Sequence, residues 1–181
     1  MFKSGNTALL TMRDADIFPN QQHDHVTEWK ERPTGKVVLF SDADEIALVS
    51  NSVSGIFLLP GGGIADGEDI ISGTKRECRE ETGYEIEILR ELGVTEDFRA
   101  RDSRHCITHG YEARVLSQCP MSLTESESDI DFFVQWFPFD AARTLFTEQE
   151  ERVGRGEVPF YNTCFNIIRD SFFVRRSKIA E

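Results

Sequence analysis

The order of apolar and polar positions predicts several strands in the first third of the chain. Residues 5–12 (GNTALLTM) are predicted to form a short strand, and residues 36–50 (KVVLFSDADEIALVS) a hairpin, because two apolar runs flank the acidic turn SDADE. Residues 56–60 (IFLLP) are predicted to be a short buried strand that leads into a run of glycines. Pro19 and Pro33 interrupt a polar stretch, so residues 1–35 should be an extra strand followed by an irregular segment.

Two long strands and one short strand are predicted beyond the glycines. Residues 85–99 alternate well enough to form a long strand with a bend at Gly93, and residues 103–117 resemble its antiparallel partner. Residues 132–139 (FFVQWFPF) form a strongly apolar strand that ends at Pro138.

Helices are predicted to follow that last strand. Asp140 has the residue type of an N-cap, and the short helix that it would start is AARTLF. Residues 148–157 are charged and contain two glycines, so they are expected to be a connector. A final helix should begin after Pro159 and cover the sheet with apolar residues at helical spacing. These residues are Tyr161, Cys164, Phe165, Ile168 and Phe172.

A glycine-rich turn that leads into an acidic helix occupies residues 61–84 (GGGIADGEDIISGTKRECREETGY). Glu77, Glu80 and Glu81 are three and four residues apart, so a helix places them on one face, where like charges repel. Nearby basic side chains can compensate in part. A divalent metal ion does so more completely, because hard ions such as magnesium bind carboxylate oxygens. The simpler alternative is a solvated helix with salt bridges. The glycines favour a tight turn near a ligand, and Gly83 predicts the end of the helix.

Residues 62–84 resemble the signature of the Nudix family, in which a glycine, a glutamate and the run Arg-Glu-x-x-Glu-Glu-x-Gly occur at fixed offsets. The matching residues are Gly62, Glu68, Arg76, Glu77, Cys78, Glu80, Glu81, Gly83 and Tyr84. Two departures are mild: Cys78 replaces a commoner aliphatic residue, and Gly73 lies inside the helix at a cost of about 1 kcal/mol. The resemblance implies an α+β fold, an α/β/α sandwich with a mixed, largely antiparallel β-sheet between helices. It also implies that residues 1–181 form a single domain.

The same resemblance implies roles for the acidic residues. Glu77 and Glu81 are expected to be direct metal ligands, and Glu80 either a third ligand or the general base. Gly61 is expected to offer its carbonyl oxygen to the same metal cluster. Glu68 is expected at the edge of the metal site, bound through water or fixing the loop. The implied cofactor is Mg²⁺, with Mn²⁺ as an alternative.

Arg76 and the general base complete the implied catalytic set. Arg76 is expected to pair with the glutamates and orient them, since an arginine cannot act as a base near neutral pH. The base itself stays open between Glu80 or Glu81 on the acidic helix and a distant acidic loop. The candidates in that loop are Glu125, Glu127, Asp129 and Asp131.

Positive charge concentrates where the two long strands are predicted to connect. Arg99, Arg101, Arg104 and Arg114 lie there and are candidates to bind substrate phosphate, although pairing with the acidic surface is equally expected. The implied reaction is metal-dependent hydrolysis of a phosphoanhydride bond in a nucleoside diphosphate linked to another moiety. The alternatives are a noncatalytic nucleotide or metabolite sensor on the same fold and a structural or interaction protein. Sensors usually lose acidic positions, and this chain keeps them.

Composition restricts the partners. The chain has 181 residues and a net charge of −12, which argues against binding to nucleic-acid backbones. No apolar run approaches a membrane span, and the cysteines form no CxxC pair, which favours free thiols in a reducing cytoplasm. The sequence therefore predicts a cytoplasmic protein with a small-molecule partner, no nucleic acid and no membrane. A homodimer is compatible with the family resemblance.

Overall fold

A computed structural model of the chain describes residues 7–21, 25–123 and 131–177. Its strands are β1 (Leu10–Arg13), β2 (Lys30–Phe40), β3 (Glu45–Ser50), β4 (Tyr84–Arg99), β5 (Arg104–Gln118) and β6 (Phe133–Pro138). Its helices are α1 (Asp14–Ile17), α2 (Ile70–Thr82), α3 (Phe139–Gly154) and α4 (Tyr161–Arg176), with a 3₁₀ turn at Ala100–Asp102. Within these ranges, no helix combines the length and the apolar character that crossing a membrane requires.

The six strands form one mixed sheet in the order β1-β4-β5-β2-β3-β6. The pairs β4–β5, β2–β3 and β3–β6 are antiparallel, which confirms the predicted partner strand and the predicted hairpin. The register of β4 against β5 shifts between Glu91 and Gly93, so the bend expected at Gly93 is present. The pairs β1–β4 and β2–β5 are parallel.

The segment of residues 56–63, called here the wedge segment, separates β2 from β3. The prediction of a strand at residues 56–60 is wrong, because this segment makes isolated bridges to both neighbours. On one side, Val49 and Leu58 exchange two backbone hydrogen bonds of 2.9 Å. On the other side, Gly35 N donates to Gly62 O at 3.0 Å. The wedge segment therefore brings the glycines into the middle of the sheet.

Helices cover both faces of the sheet, as the α/β/α prediction requires. Successive residues of β2 point to opposite faces. Val37 packs with buried side chains of α2, whereas its neighbour Val38 packs with those of α3 and α4. Gly110 allows α4 to lie close to the sheet, because a Cβ at that position would stand 2.3 Å from the ring of Phe173. The predicted fold class, a mixed sheet between helices, is confirmed.

The N-terminal part is more regular than the sequence predicts. β2 begins at Lys30, so residues 30–35, expected to be irregular, are a strand paired with β5. Pro33 does not interrupt this strand, because it still accepts a hydrogen bond from Ile64 N at 3.0 Å on the edge away from β5. The first strand runs over Leu10–Arg13, so the predicted strand is wrong for residues 7–9, while residues 5 and 6 lie outside the described residues.

The third helix also differs from the prediction. α3 continues to Gly154, so most of residues 148–157 are helical and do not form a connector. Asp140 is not the N-cap, because Pro138 occupies that position and 94% of the Asp140 side chain is exposed. The charged run is the solvent face of an amphipathic helix. Its buried positions are Ala142, Phe146, Gln149 and Val153. The final helix, α4, is confirmed.

Candidate active site

Capping residues fix both ends of the acidic helix. Asp69 is the N-cap of α2, and its carboxylate accepts a hydrogen bond of 3.0 Å from Ser72 N. Gly83 ends the helix with φ = 72°, the left-handed conformation that the sequence predicts for this residue. Between these caps, the acidic face of α2 turns towards the wedge segment.

The glycine turn is in close contact with the acidic face of α2. A Cβ on Gly62 would lie 2.1 Å from Glu77 Oε2, so only a residue without a side chain allows Glu77 to pack there. Gly61 has φ = 116°, and a Cβ on it would lie 2.2 Å from Gly35 O. Each of these glycines is therefore needed for a close approach at the turn.

Glu81 and Lys36 bond to opposite groups of Gly61. Glu81 Oε2 accepts a hydrogen bond of 2.7 Å from Gly61 N, and Glu81 is buried. Lys36 Nζ donates to Gly61 O, and also to Leu59 O at 2.9 Å. Burial lowers the pKa of Lys36, while the negative charges of Glu81 and Asp170 oppose that shift. The carbonyl that the sequence nominates as a metal ligand thus accepts a hydrogen bond from an ammonium group.

Arg76 connects three carboxylates. It donates from Nε and Nη2 to the two oxygens of Glu68 at 2.9 Å each. Its Nη1 donates to Glu77 at 2.7 Å and to Glu80 at 3.0 Å. These bonds lower the pKa of Glu68 to about 2 and raise the pKa of Arg76. Glu68 also accepts a hydrogen bond from Ala65 N at 3.0 Å, so it ties the loop before α2 to the helix.

The oxygen atoms near the glycine turn are of the ligand type that a hard divalent metal ion binds. Glu77, Glu80, Glu81 and the carbonyl of Gly61 supply only oxygen, the ligand type that Mg²⁺ and Mn²⁺ prefer. Their arrangement is that of a hydrogen-bonded network, since Arg76 holds two of the carboxylates. Among the described residues, no group of three His, Cys, Asp or Glu side chains has an arrangement that could hold a metal ion. A metal ion at the turn would share the oxygens of Glu77 and Glu80 with Arg76.

A cleft of about 210 Å³ lies on the other side of the glycine turn. Its lining contains five cationic side chains: Arg32, Lys36, Arg99, Arg104 and Arg169. The remaining lining residues are Thr34, the glycines of the turn, Cys106, Asn162 and Asn166. No Asp or Glu is among the described residues that line it. A positive cleft therefore adjoins the acidic face of α2 across a single turn.

The structure brings only some of the predicted basic residues into this cleft. Arg99 and Arg104 line it. Arg101 does not, because it lies 4.5 Å over the ring of Tyr161 and donates to Gln21 Oε1 at 2.7 Å. Arg114 is exposed, pairs with Glu87 and is outside the lining.

Sequence reasoning missed the contribution of α4 to the cleft. Asn162, Asn166 and Arg169 are four and three residues apart, so they share one face of the helix, beside its apolar positions. That polar stripe was the available signal. Arg32 and Lys36 were missed because nothing local distinguishes them from ordinary strand residues.

The acidic loop candidates for the general base are only partly described. Glu125, Glu127 and Asp129 lie outside the described residues. Asp131 is exposed, and its carboxylate accepts a hydrogen bond of 3.2 Å from the Ser52 hydroxyl. The choice between this loop and α2 stays a prediction.

Comparison with known proteins decides the family. The sequence profile of the NUDIX domain matches residues 30–156, which is more than half of the chain. The chain belongs to the Nudix domain family. This confirms the family predicted from the motif and, at the level of the family, an enzyme that acts on phosphoanhydrides. The match ends before α4 begins.

Solved structures agree with the Nudix fold. The chain is similar to a NUDIX hydrolase from Nitrosomonas europaea, with a TM-score of 0.53, 21% identity, and coverage of 77% of this chain and 89% of that one. It is also similar to a MutT protein from Methanosarcina mazei Go1, with a TM-score of 0.51, 19% identity, and coverage of 72% and 97%. No curated protein matches the chain. At these identities the structures show a shared fold.

Proposed function

We propose that this Nudix protein hydrolyses a phosphoanhydride bond in a nucleoside diphosphate linked to another moiety, with Mg²⁺ or Mn²⁺ as the cofactor. The observation that carries the proposal is the convergence of the motif acids on the glycine turn. Glu81 bonds to Gly61 N at 2.7 Å, and Glu77 packs directly on Gly62. Oxygen ligands of this kind suit a metal ion that shares its coordination with substrate phosphates.

Each acidic residue has a distinct part in the proposal. Glu77 and Glu81 hold the metal with the Gly61 carbonyl, and Glu68 fixes the loop through Arg76. When bound, the metal neutralises charge on phosphate oxygens and lowers the pKa of the attacking water. Glu80 is the proposed general base. Its side chain is 32% exposed, more than that of Glu77 at 22%, so it can pass a proton to solvent after each turnover.

Arg76 is proposed to keep these carboxylates apart and correctly oriented. It already touches three of them, and an arginine stays charged throughout the working pH range. Arg99 and Arg104 are proposed to bind substrate oxyanions from the cleft. The geometry offers less support for Arg101, which is stacked on Tyr161.

A hydrolysis panel tests the proposal. Nucleoside diphosphate sugars, dinucleotides and nucleoside triphosphates would be incubated with the wild type in Mg²⁺, in Mn²⁺ and in EDTA, and phosphate-containing products quantified. We expect turnover of at least one compound with metal and none in EDTA. Glu77→Gln should abolish it, whereas Glu85→Gln, which changes an exposed acid just beyond α2, should not. Metal-independent turnover, or equal loss in both variants, contradicts the proposal.

A noncatalytic sensor is the second candidate, and one observation favours it. Lys36 Nζ bonds to the Gly61 carbonyl, so an ammonium group already supplies positive charge at the turn. A sensor would bind a nucleotide derivative in the panel without cleaving it. Binding without turnover in every metal condition would therefore replace the hydrolase proposal.

Three further expectations concern the domain organisation, the compartment and the oligomeric state. The whole chain, residues 1–181, is proposed to form one domain that works in the cytoplasm, alone or as a homodimer. Light scattering of the purified protein at micromolar concentration distinguishes monomer from dimer. Localisation of a fluorescently tagged full chain tests the compartment.

A further inference from the structure

The lining of the cationic cleft does not suit a nucleobase. It contains no aromatic residue among the described residues, so it offers no ring on which a base could stack. Its volume of about 210 Å³ is also below the roughly 300–1,000 Å³ of pockets that enclose a whole ligand. The cleft therefore has room for one polar part of a larger molecule.

Two of the arginines that line the cleft are buried. Arg99 and Arg169 are each 3% exposed. Arg99 pairs with Asp97, and Arg169 Nη2 lies 2.8 Å from Asp170. Ion pairing offsets the desolvation of a buried charge only when the geometry is good and the remaining donors have acceptors.

Asn166 joins the two buried arginines. Its Oδ1 accepts hydrogen bonds from Arg99 Nη2 at 2.8 Å and from Arg169 Nη1 at 3.1 Å. Since both arginines donate to the oxygen, the amide orientation is fixed and its Nδ2 group remains a donor in the lining. Asn162 likewise accepts from Arg99 Nη1 at 3.1 Å.

Arg169 keeps one hydrogen-bond position open. Its Nε donates to Asp170 Oδ1 at 2.8 Å, and Nη2 lies 2.8 Å from the same oxygen as an ion pair. The geometry at Nη2 is not that of a hydrogen bond, and this buried nitrogen has no other partner among the described residues. A buried charged donor is stabilised by an acceptor that completes its hydrogen bonding. Arg169 lines the cleft, so an acceptor placed there would satisfy it.

The outer rim has further unused donors. Within the described chain, the guanidinium of Arg32 makes no hydrogen bond or ion pair, and it lies beside Gly63. Arg104 is 3.7 Å from Asp102, which is too far for a hydrogen bond. Guanidinium groups bind phosphate and carboxylate through paired hydrogen bonds.

We propose that this cleft, closed by Asn166 and Arg169 of α4, binds an oxyanion on the part of the substrate that lies beyond the scissile diphosphate. The preferred substrates are thus diphosphates whose second moiety carries a phosphate or a carboxylate. This inference rests on the proposed function for the location of the scissile bond. It adds a selectivity determinant from a helix that lies outside the segment matched by the family profile.

Binding without metal tests the site independently of hydrolysis. Calorimetry in EDTA would compare ribose 5-phosphate, glucuronate and neutral ribose as probes. We expect at least one of the two anions to bind, with ribose showing no binding. Arg32→Ala and Arg104→Ala should each weaken that binding on the order of tenfold. Arg114→Ala, which removes an exposed arginine of the same strand as Arg104, should leave it unchanged.

Matched substrates then identify the oxyanion. In Mg²⁺, a preference for NADP⁺ over NAD⁺ indicates phosphate, and a preference for UDP-glucuronate over UDP-glucose indicates carboxylate. Arg32→Ala should reduce the ratio of kcat/KM values within the preferred pair to near one. The inference is overturned if neither anion binds in EDTA, or if both arginine variants bind like the wild type. Anion binding without hydrolysis of any compound would instead overturn the proposed function and leave this site standing.

Discussion

Glu81 Oε2 accepts a hydrogen bond of 2.7 Å from the backbone N–H of Gly61, which precedes it by twenty residues. This contact fixes the C-terminal turn of α2 against the wedge segment. The hydrogen bond occupies one oxygen of a carboxylate that the Nudix motif predicts to be a metal ligand. Position and charge at this residue can therefore be separated by mutation.

Glu81→Gln should remove activity and preserve the fold. A glutamine can still accept the bond from Gly61 N, so the contact with the turn should persist, and the loss of unfolding free energy should come mainly from the missing attraction to buried Lys36. Loss of the charge should lower kcat/KM by on the order of 10²-fold or more, because the electrostatic contribution at the metal is lost. Steady-state kinetics and urea unfolding measure the two effects. Near-normal kcat/KM would exclude Glu81 as a ligand.

Gly62→Ala should disturb the site through sterics alone. The added Cβ would lie 2.1 Å from Glu77 Oε2, so Glu77 must move away from the turn. We expect a large fall in kcat/KM and weaker Mg²⁺ binding by calorimetry. Gly154→Ala is the matched control, because a Cβ there has open space and a helical position favours alanine. The control should keep full activity and gain about 0.5–1 kcal/mol of stability.

Glu68 should give the protein a pH-dependent stability in acid. Its pKa is about 2 in the folded protein, compared with an ordinary value of 4.5, because Arg76 donates to its carboxylate. A depressed folded pKa stabilises the protein fully above about pH 4.5, and that stabilisation is lost as the pH falls through about 2. Thermal unfolding of the wild type and Glu68→Gln across this range should converge at the acid end. A constant difference between them at every pH contradicts the ion pair.

Tyr161→Phe should loosen the attachment of α4 to the N-terminal part. The Tyr161 hydroxyl donates to buried Asp14 at 2.6 Å, and Asp14 also accepts from Ala100 N at 2.8 Å. Losing a hydrogen bond to a charged acceptor should cost about 1.5–3 kcal/mol of unfolding free energy. Tyr84→Phe is the control, since no hydrogen bond of its hydroxyl is present among the described residues. Equal stability of the two variants would refute this link.

Local pattern predicted most elements of the fold. The alternation in residues 85–99 and the residue types at Gly83 and Gly93 identified β4, its bend and the end of α2. These features depend on neighbours in sequence, so they are visible in one chain. The motif located the acidic face for the same reason, since Glu77, Glu80 and Glu81 are close along α2.

Features that depend on distant partners could not be predicted. The wedge segment does not form a strand because it makes backbone hydrogen bonds to two different strands in turn. Leu58 bonds to Val49 of β3, and Gly62 bonds to Gly35 of β2. The parallel pairing of β2 with β5 has no local signature. Asn166 and Arg169 line the cleft only because α4 packs over the ends of strands that are distant in sequence. Their polarity alone does not predict that they lie beside Arg99.

α4 lies beyond residues 30–156, the segment that the family profile matches. The proposed metal-binding residues and the α4 side chains of the cleft therefore belong to different parts of the chain. In the two proposals above, α2 carries the groups for bond cleavage. The choice of compound depends on the cleft, to which α4 adds three side chains beside the arginines of the matched segment. Exchanging Asn162, Asn166 and Arg169 should therefore retune what the protein accepts without altering its chemistry. Asp170 is the residue to leave in place during such grafting, because its carboxylate also holds Leu59 N at 2.9 Å and thereby anchors the wedge.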